Sequence, residues 1–150
     1  MSEVFHRIVV PTDFSAGSEE AWAVAQRLAK SLSSELLLVN VFAEPPLWSE
    51  GPFTMDHARE VFDGARKWVT EQLEQRVQQA VASGLRARAV VREGGAVHEE
   101  IVALATEERA DLIAMGTHGR GGVDRMLLGS VTDRVIRLAP CPVLTVRRPD

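Results

Sequence analysis

Cysteine is almost missing from this chain: Cys141 is the only one in 150 residues. A lone thiol excludes an internal disulfide and a cysteine-built metal cage, and it suits a reducing compartment, so the cytoplasm is the expected location. Long apolar runs are missing too. None approaches the ~20 residues that a membrane-spanning helix needs, and Met1 to Val10, with Glu3 and His6, lacks the apolar centre of a signal peptide. Basic clusters are also absent, since the net charge is −4 and no Lys/Arg run exceeds a dipeptide. Nucleic acid and anionic membranes are held largely by such patches, so neither is an expected partner; a small anion held by backbone N–H groups stays open. His6, His57 and His98 are dispersed, with no metal-ligand spacing. There is no Gly-Lys-Ser/Thr of a Walker loop, and no GxGxxG turn follows the first strand.

What is present suits one domain, residues 1–150, with 45% apolar and 25% charged residues. Arg7 to Pro11 is a β-branched run ending in Pro-Thr-Asp, a strand and a turn. Ala21, Trp22, Ala25, Leu28, Ala29 and Leu32 mark a helix from about Ser15 to Ser33. Glu35 to Phe42 is nearly all apolar, as in a strand covered on both faces. A Pro/Gly-rich loop follows that also holds the apolar Leu47, Trp48 and Phe53, of which Trp48 and Phe53 either cover a pocket as a lid or pack on the next helix. That helix, from about Asp56, carries the stripe Val61, Phe62, Ala65, Val69, Leu73, Val77 and Ala80, and Gly84 stops it. Trp22 and Trp68 are expected in the core. Leu85 to Arg92 alternates apolar residues with outward Arg86, Arg88 and Arg92, which predicts an edge strand. Val97, Ile101, Leu104 and Ala105 mark a third helix, Asp111 to Met115 a buried strand, Ser130 to Leu138 a fourth helix and Pro142 to Val146 a last strand.

Such β-α alternation requires crossover connections. It predicts an α/β fold: a three-layer, open, parallel five-stranded sheet, Rossmann-like. If strands 3 and 5 are both edges, the order is 3-2-1-4-5. A ligand site is then expected beyond the carboxyl ends of strands 1 and 4. Those ends read Pro11-Thr12-Asp13 and Met115-Gly116. The segment from Gly116 to Ser130 is much longer than a usual strand-to-helix connection, and it holds five of the eleven glycines. Glycines let backbone amides approach a ligand, and the helix opened by Gly129-Ser130 favours an anion. Ser130 and Thr132 offer hydroxyls, and Arg120 and Arg125 offer charge. The plainer alternative is a flexible loop with Ser130 as helix cap and Asp133 at the capping-box position. His118 either touches phosphate, carries a proton or faces solvent, and Asp13 either contacts ligand or only favours the start of helix 1. Cys141, between two prolines, is expected to be a packing residue.

The spacing Gly116, Gly119, Gly129-Ser130, with RIVVPTDFS at the start and GSVTDRVIRLAPCPVLTV at the close, resembles the ATP-binding branch of the universal stress proteins. The resemblance covers nearly the whole chain and is weakest from Phe42 to Val91. It implies ATP, with Mg2+, as ligand. Asp13 would meet the adenosine moiety, with Pro11 and Thr12 beside it and Val41 at the adenine through its backbone. Gly116, Gly119, Gly129, Ser130, Val131 and Thr132 would surround the ribose and phosphates, and Met115 and Arg120 are counted among the nucleotide-binding residues. The apolar last strand, Pro142 to Val146, has a free edge, and the resemblance implies a homodimer through it. Two activities are compatible with these residues: a nucleotide-dependent regulatory or stress-response protein, and a slow Mg-dependent ATPase or nucleotidyl-transfer enzyme using Asp13. A scaffold with an unused pocket is the bland third case.

Overall fold

The computed structural model describes residues 4–43, 55–118 and 128–148. Chain order alternates strand and helix: β1 (Arg7–Pro11), α1 (Ala16–Leu32), β2 (Glu35–Phe42), α2 (Met55–Ala82), β3 (Arg86–Glu93), α3 (Val97–Glu107), β4 (Leu112–Gly116), α4 (Ser130–Leu138) and β5 (Val143–Val146). The strands form one sheet in the order β3-β2-β1-β4-β5, with every neighbouring pair parallel. The order inferred from the sequence is therefore the observed one. Its reversal lies between β1 and β4.

Side chains sort by strand alternation into two cores. Ile8, Val10, Leu36, Leu38 and Ala114 face one side, where α1 supplies Trp22, Ala25 and Ala29 and α2 supplies Val69, Leu73, Val77 and Ala80. Val9, Leu37, Val39, Ile113 and Met115 face the other, against Ile101, Leu104 and Ala105 of α3 and Val135 of α4. Central strands covered on both faces must be apolar throughout, which explains the unbroken ELLLV of β2.

The termini of α1 follow from local chemistry. Ser15 is its N-cap, with Oγ accepting from the Ser18 N–H, and Ser33 closes it in the left-handed conformation at φ 57°. α2 corrects one expectation. Its buried stripe begins only at Val69, while Val61 is exposed and Trp68, expected in the core, is 47% exposed. At 28 residues the helix is about 42 Å long, whereas an eight-residue strand covers about 26 Å, so its first turns extend past the sheet. Trp22, by contrast, is 5% exposed.

Two of the outward arginines of β3 are ion-paired. Arg88 Nε lies 3.0 Å from Glu35 and its Nη2 2.5 Å from Glu108. Arg92 pairs with Glu100 at 3.0 Å and Glu107 at 2.8 Å, both on α3. β3 is an edge strand, and its charges are fastened to α3 and β2.

Candidate functional site

The carboxyl ends of β1, β2 and β4 surround a cavity of about 440 Å3, at the order reversal where doubly wound sheets place ligands. Ten of the twelve residues singled out from the sequence line it: Pro11, Thr12, Asp13, Val41, Met115, Gly116, Gly129, Ser130, Val131 and Thr132. The other two, Gly119 and Arg120, lie outside the described residues.

On the β1 side the backbone turns sharply. Asp13 Oδ1 accepts from the Ser15 N–H at 2.9 Å and from Ser18 Oγ at 3.0 Å. Thr12 Oγ1 accepts from the Phe14 N–H at 3.0 Å and donates to Ser18 Oγ at 3.1 Å. Behind them, Asn40 Nδ2 donates to the Thr12 carbonyl at 2.9 Å. The bonds to Ser15 and Ser18 tie the turn to the start of α1, and the bond from Asn40 ties it to β2, so the Asp13 carboxylate is held in the cavity wall by its own turn. Asp13 thus has a structural task whatever ligand binds.

On the β4 side, glycine serves packing first. A Cβ on Gly116 would sit 2.8 Å from the carbonyl carbon of Gly17, and one on Gly17 would sit 2.8 Å from the His118 carbonyl oxygen. Backbone meets backbone here, which draws the first turn of α1 against the end of β4. Gly116 thus has a packing role beside its place in the cavity lining. Thr132, 4% exposed, donates its hydroxyl to the Gly116 carbonyl at 2.9 Å, so that proton is committed within the protein.

The start of α4 also differs from the capping-box alternative. Its N-cap is Gly129, with no side-chain cap, and Ser130 is already helical. The Gly129 N–H donates to the Thr117 carbonyl at 2.7 Å, and the first intrahelical bond runs from the Asp133 N–H to the Gly129 carbonyl at 2.9 Å. The N–H groups of Ser130, Val131 and Thr132 precede that bond and have no intrahelical acceptor. They meet the cavity together with the positive end of the α4 dipole. Beside them, His118 Nδ1 lies 3.0 Å from Thr117 Oγ1, and its Nε2, out of solvent contact, has no hydrogen-bond partner among the described residues.

Val39, Val41, Val97, Ile101, Met115 and Val131 supply apolar wall. The cavity therefore joins a greasy side to a side of amides and hydroxyls, as a heterocycle with an anionic tail requires. Sequence reasoning missed Ser18, Val39, Asn40, Val97 and Ile101 as lining residues. Asn40 carried a readable signal, being the polar interruption in an otherwise apolar buried strand. Val97 and Ile101 had none, since core packing explains them equally well. Among the described residues, no three His, Cys, Asp or Glu side chains gather as a metal cluster. Burial and the nearby Asp111 carboxylate push the Cys141 thiol up, away from the reactive thiolate.

Comparison with known proteins agrees with this architecture. Residues 5–147 match the sequence profile of the Universal stress protein family. Universal stress protein MJ0531 of Methanocaldococcus jannaschii is 36% identical over 149 residues, covering 97% of this chain and 84% of the relative. The solved structure of MJ0577 from the same organism superimposes with a TM-score of 0.85 at 29% identity, over 98% of this chain and 99% of that one. A universal stress protein solved in complex with cAMP shares the fold at a TM-score of 0.71 and 24% identity, over 97% and 98% of the two chains. Profile, sequence and sheet order converge: the chain belongs to the universal stress protein family.

Proposed function

We propose that this protein binds an adenine nucleotide, ATP with Mg2+ in the first instance, and acts as a nucleotide-dependent regulatory protein. The observation that carries the reading is the cavity's two-sided chemistry. Val39, Val41, Ile101 and Met115 suit a purine, and the amides of Ser130, Val131 and Thr132 suit phosphate oxygens. His118 Nε2 adds a buried polar atom which, in the tautomer that protonates it, an anionic ligand would satisfy as acceptor. A protein of the same fold was solved with cAMP, which supports the nucleotide class by analogy of fold. Asp13 is the carboxylate lining the described cavity. One carboxylate with neighbouring hydroxyls fits a magnesium ion that arrives on phosphate oxygens, as Mg2+ commonly does, better than an ion caged by protein.

The enzymatic alternative is disfavoured by the same geometry. A base must reach its proton, and one of the two Asp13 carboxylate oxygens, Oδ1, is already engaged by Ser15 and Ser18. The reading is tested by calorimetric titration of the full chain with Mg·ATP. Saturable binding is expected, lost in Gly129→Val, whose branched side chain obstructs the phosphate approach to α4. Absence of heat and of any shift in melting temperature with wild-type protein would defeat it.

A further inference from the structure

The exposed aromatic residue Trp68 and the strained residue Phe14 meet. Phe14 adopts φ 64°, a left-handed conformation that a bulky side chain rarely takes. That backbone state reverses the chain immediately after Asp13, and it brings the Phe14 N–H to Thr12 Oγ1 and the Ser15 N–H to Asp13 Oδ1. A glycine would adopt it without penalty. Phe14 must be held there by something beyond its own backbone.

Its ring provides the hold. Phe14 stands edge-on to Trp68, with ring centroids 5.3 Å apart and planes at 76°. The Arg76 guanidinium covers the same ring at 4.9 Å. Edge-to-face and cation–π contacts of this geometry are favourable. Arg76 is itself fixed, with Nε 2.7 Å from Glu19 on α1 and Nη1 2.9 Å from the Gln72 carbonyl. Trp68, Gln72 and Arg76 recur every four residues, so they stand on one stripe of α2. The stripe begins where the helix leaves its buried core at Val69. Trp68 is thus half-exposed because it serves the turn and not the sheet.

We propose that Phe14, Trp68 and Arg76 form a clamp that maintains the left-handed turn and thereby positions Asp13 in the cavity wall. They are positioning residues, acting through Asp13, and the proposal's ligand-dependent half rests on the nucleotide reading above. Two readouts separate the two ideas. Hydrogen exchange at the Ser15 amide needs no ligand, because that amide is donated to Asp13 Oδ1. In Trp68→Ala its exchange should quicken about tenfold. In a Phe14→Gly background, where the turn carries no strain, Trp68→Ala should add nothing. Titration with Mg·ATP should show affinity falling about tenfold in Trp68→Ala, recovering in Trp68→Phe, and not falling further when Trp68→Ala is combined with Asp13→Ala. Unchanged Ser15 exchange in Trp68→Ala and Arg76→Ala would overturn the clamp. So would an affinity loss of the same size in the presence and absence of the Asp13 carboxylate. If wild type binds no nucleotide yet Ser15 exchange responds as expected, the clamp stands and the nucleotide reading fails.

Discussion

The two ends of the sheet are built on opposite principles. At the amino ends of the strands, Arg7, Glu35, Arg88 and Glu108 close a ring of ion pairs: Arg7 to Glu35 at 3.0 Å, Glu35 to Arg88 at 3.0 Å, Arg88 to Glu108 at 2.5 Å and Glu108 to Arg7 at 3.5 Å. Arg7 also exchanges backbone bonds with Asp111, its N–H donating to the carboxylate and its carbonyl accepting from the Asp111 N–H, both at 2.9 Å. Here charge neutralises charge, and four elements are fastened together. At the carboxyl ends, Thr12, Ser18, Asn40 and Thr132 make neutral or singly charged hydrogen bonds, glycine backbones touch, and the first α4 amides have no intrahelical acceptor. One end spends its polar groups on itself. The other keeps donors in reserve around a cavity, at some expense of stability, as binding sites commonly do.

The largest effect should come from the backbone contact at the cavity end. Gly116→Val places a branched side chain where a Cβ already lies 2.8 Å from Gly17, so unfolding in urea should show a loss of about 3 kcal/mol. Ligand affinity should fall with it, because α1 and the start of the glycine-rich segment move apart. An unimpaired variant would mean that α1 can retreat freely, and the close approach would lose its importance.

Thr132→Val is the next test. It removes the donor to the buried Gly116 carbonyl and should lower stability by about 2 kcal/mol while weakening Mg·ATP binding, read from the same two measurements. A loss of stability alone would place Thr132 among the scaffold residues only.

The smallest effect belongs to the ionic end. Burial raises the Glu35 carboxyl, but hydrogen bonds from Arg88 and Arg7, with their charges, outweigh it and leave the pKa below its ordinary value. A carboxylate lowered on folding stabilises the native state above its unfolded pKa, and that contribution disappears as the pH falls through the folded pKa. Glu35→Gln should therefore cost about 1 kcal/mol at pH 7, allowing for partial exposure, and the gap to wild type should close as the solution is acidified below the ordinary carboxylate range. Mg·ATP affinity should not change, since the ring lies at the far end of the sheet. A change in affinity would break the division between the two ends.

The sheet and its cavity end were legible in the sequence, whereas the ionic end was not. Unbroken apolar strands gave the central sheet, and the alternating arginines marked β3 as an edge. Pro11-Thr12-Asp13 and Gly129-Ser130 lay at the point where ligands bind in such sheets. Apolar spacing placed α1 between about Ser15 and Ser33, close to its observed caps, and Ser130 to Leu138 matches α4. What stayed hidden depends on distance through space. Helical periodicity cannot tell that α2 outruns its sheet, so Val61 and Trp68 read as core. Glycine spacing cannot show that a cavity-lining glycine such as Gly116 is also packed against a neighbouring helix. The left-handed state of Phe14 was invisible because sequence rules reserve that state for glycine and asparagine.

The account depends on where a nucleotide would sit, and a crystal structure with Mg·ATP tests that most directly. Phosphate density against the amides of Ser130 to Thr132, with the base between Val41 and Ile101, is the predicted result. A cavity left empty at saturating Mg·ATP, or a nucleotide held elsewhere on the surface, would contradict it.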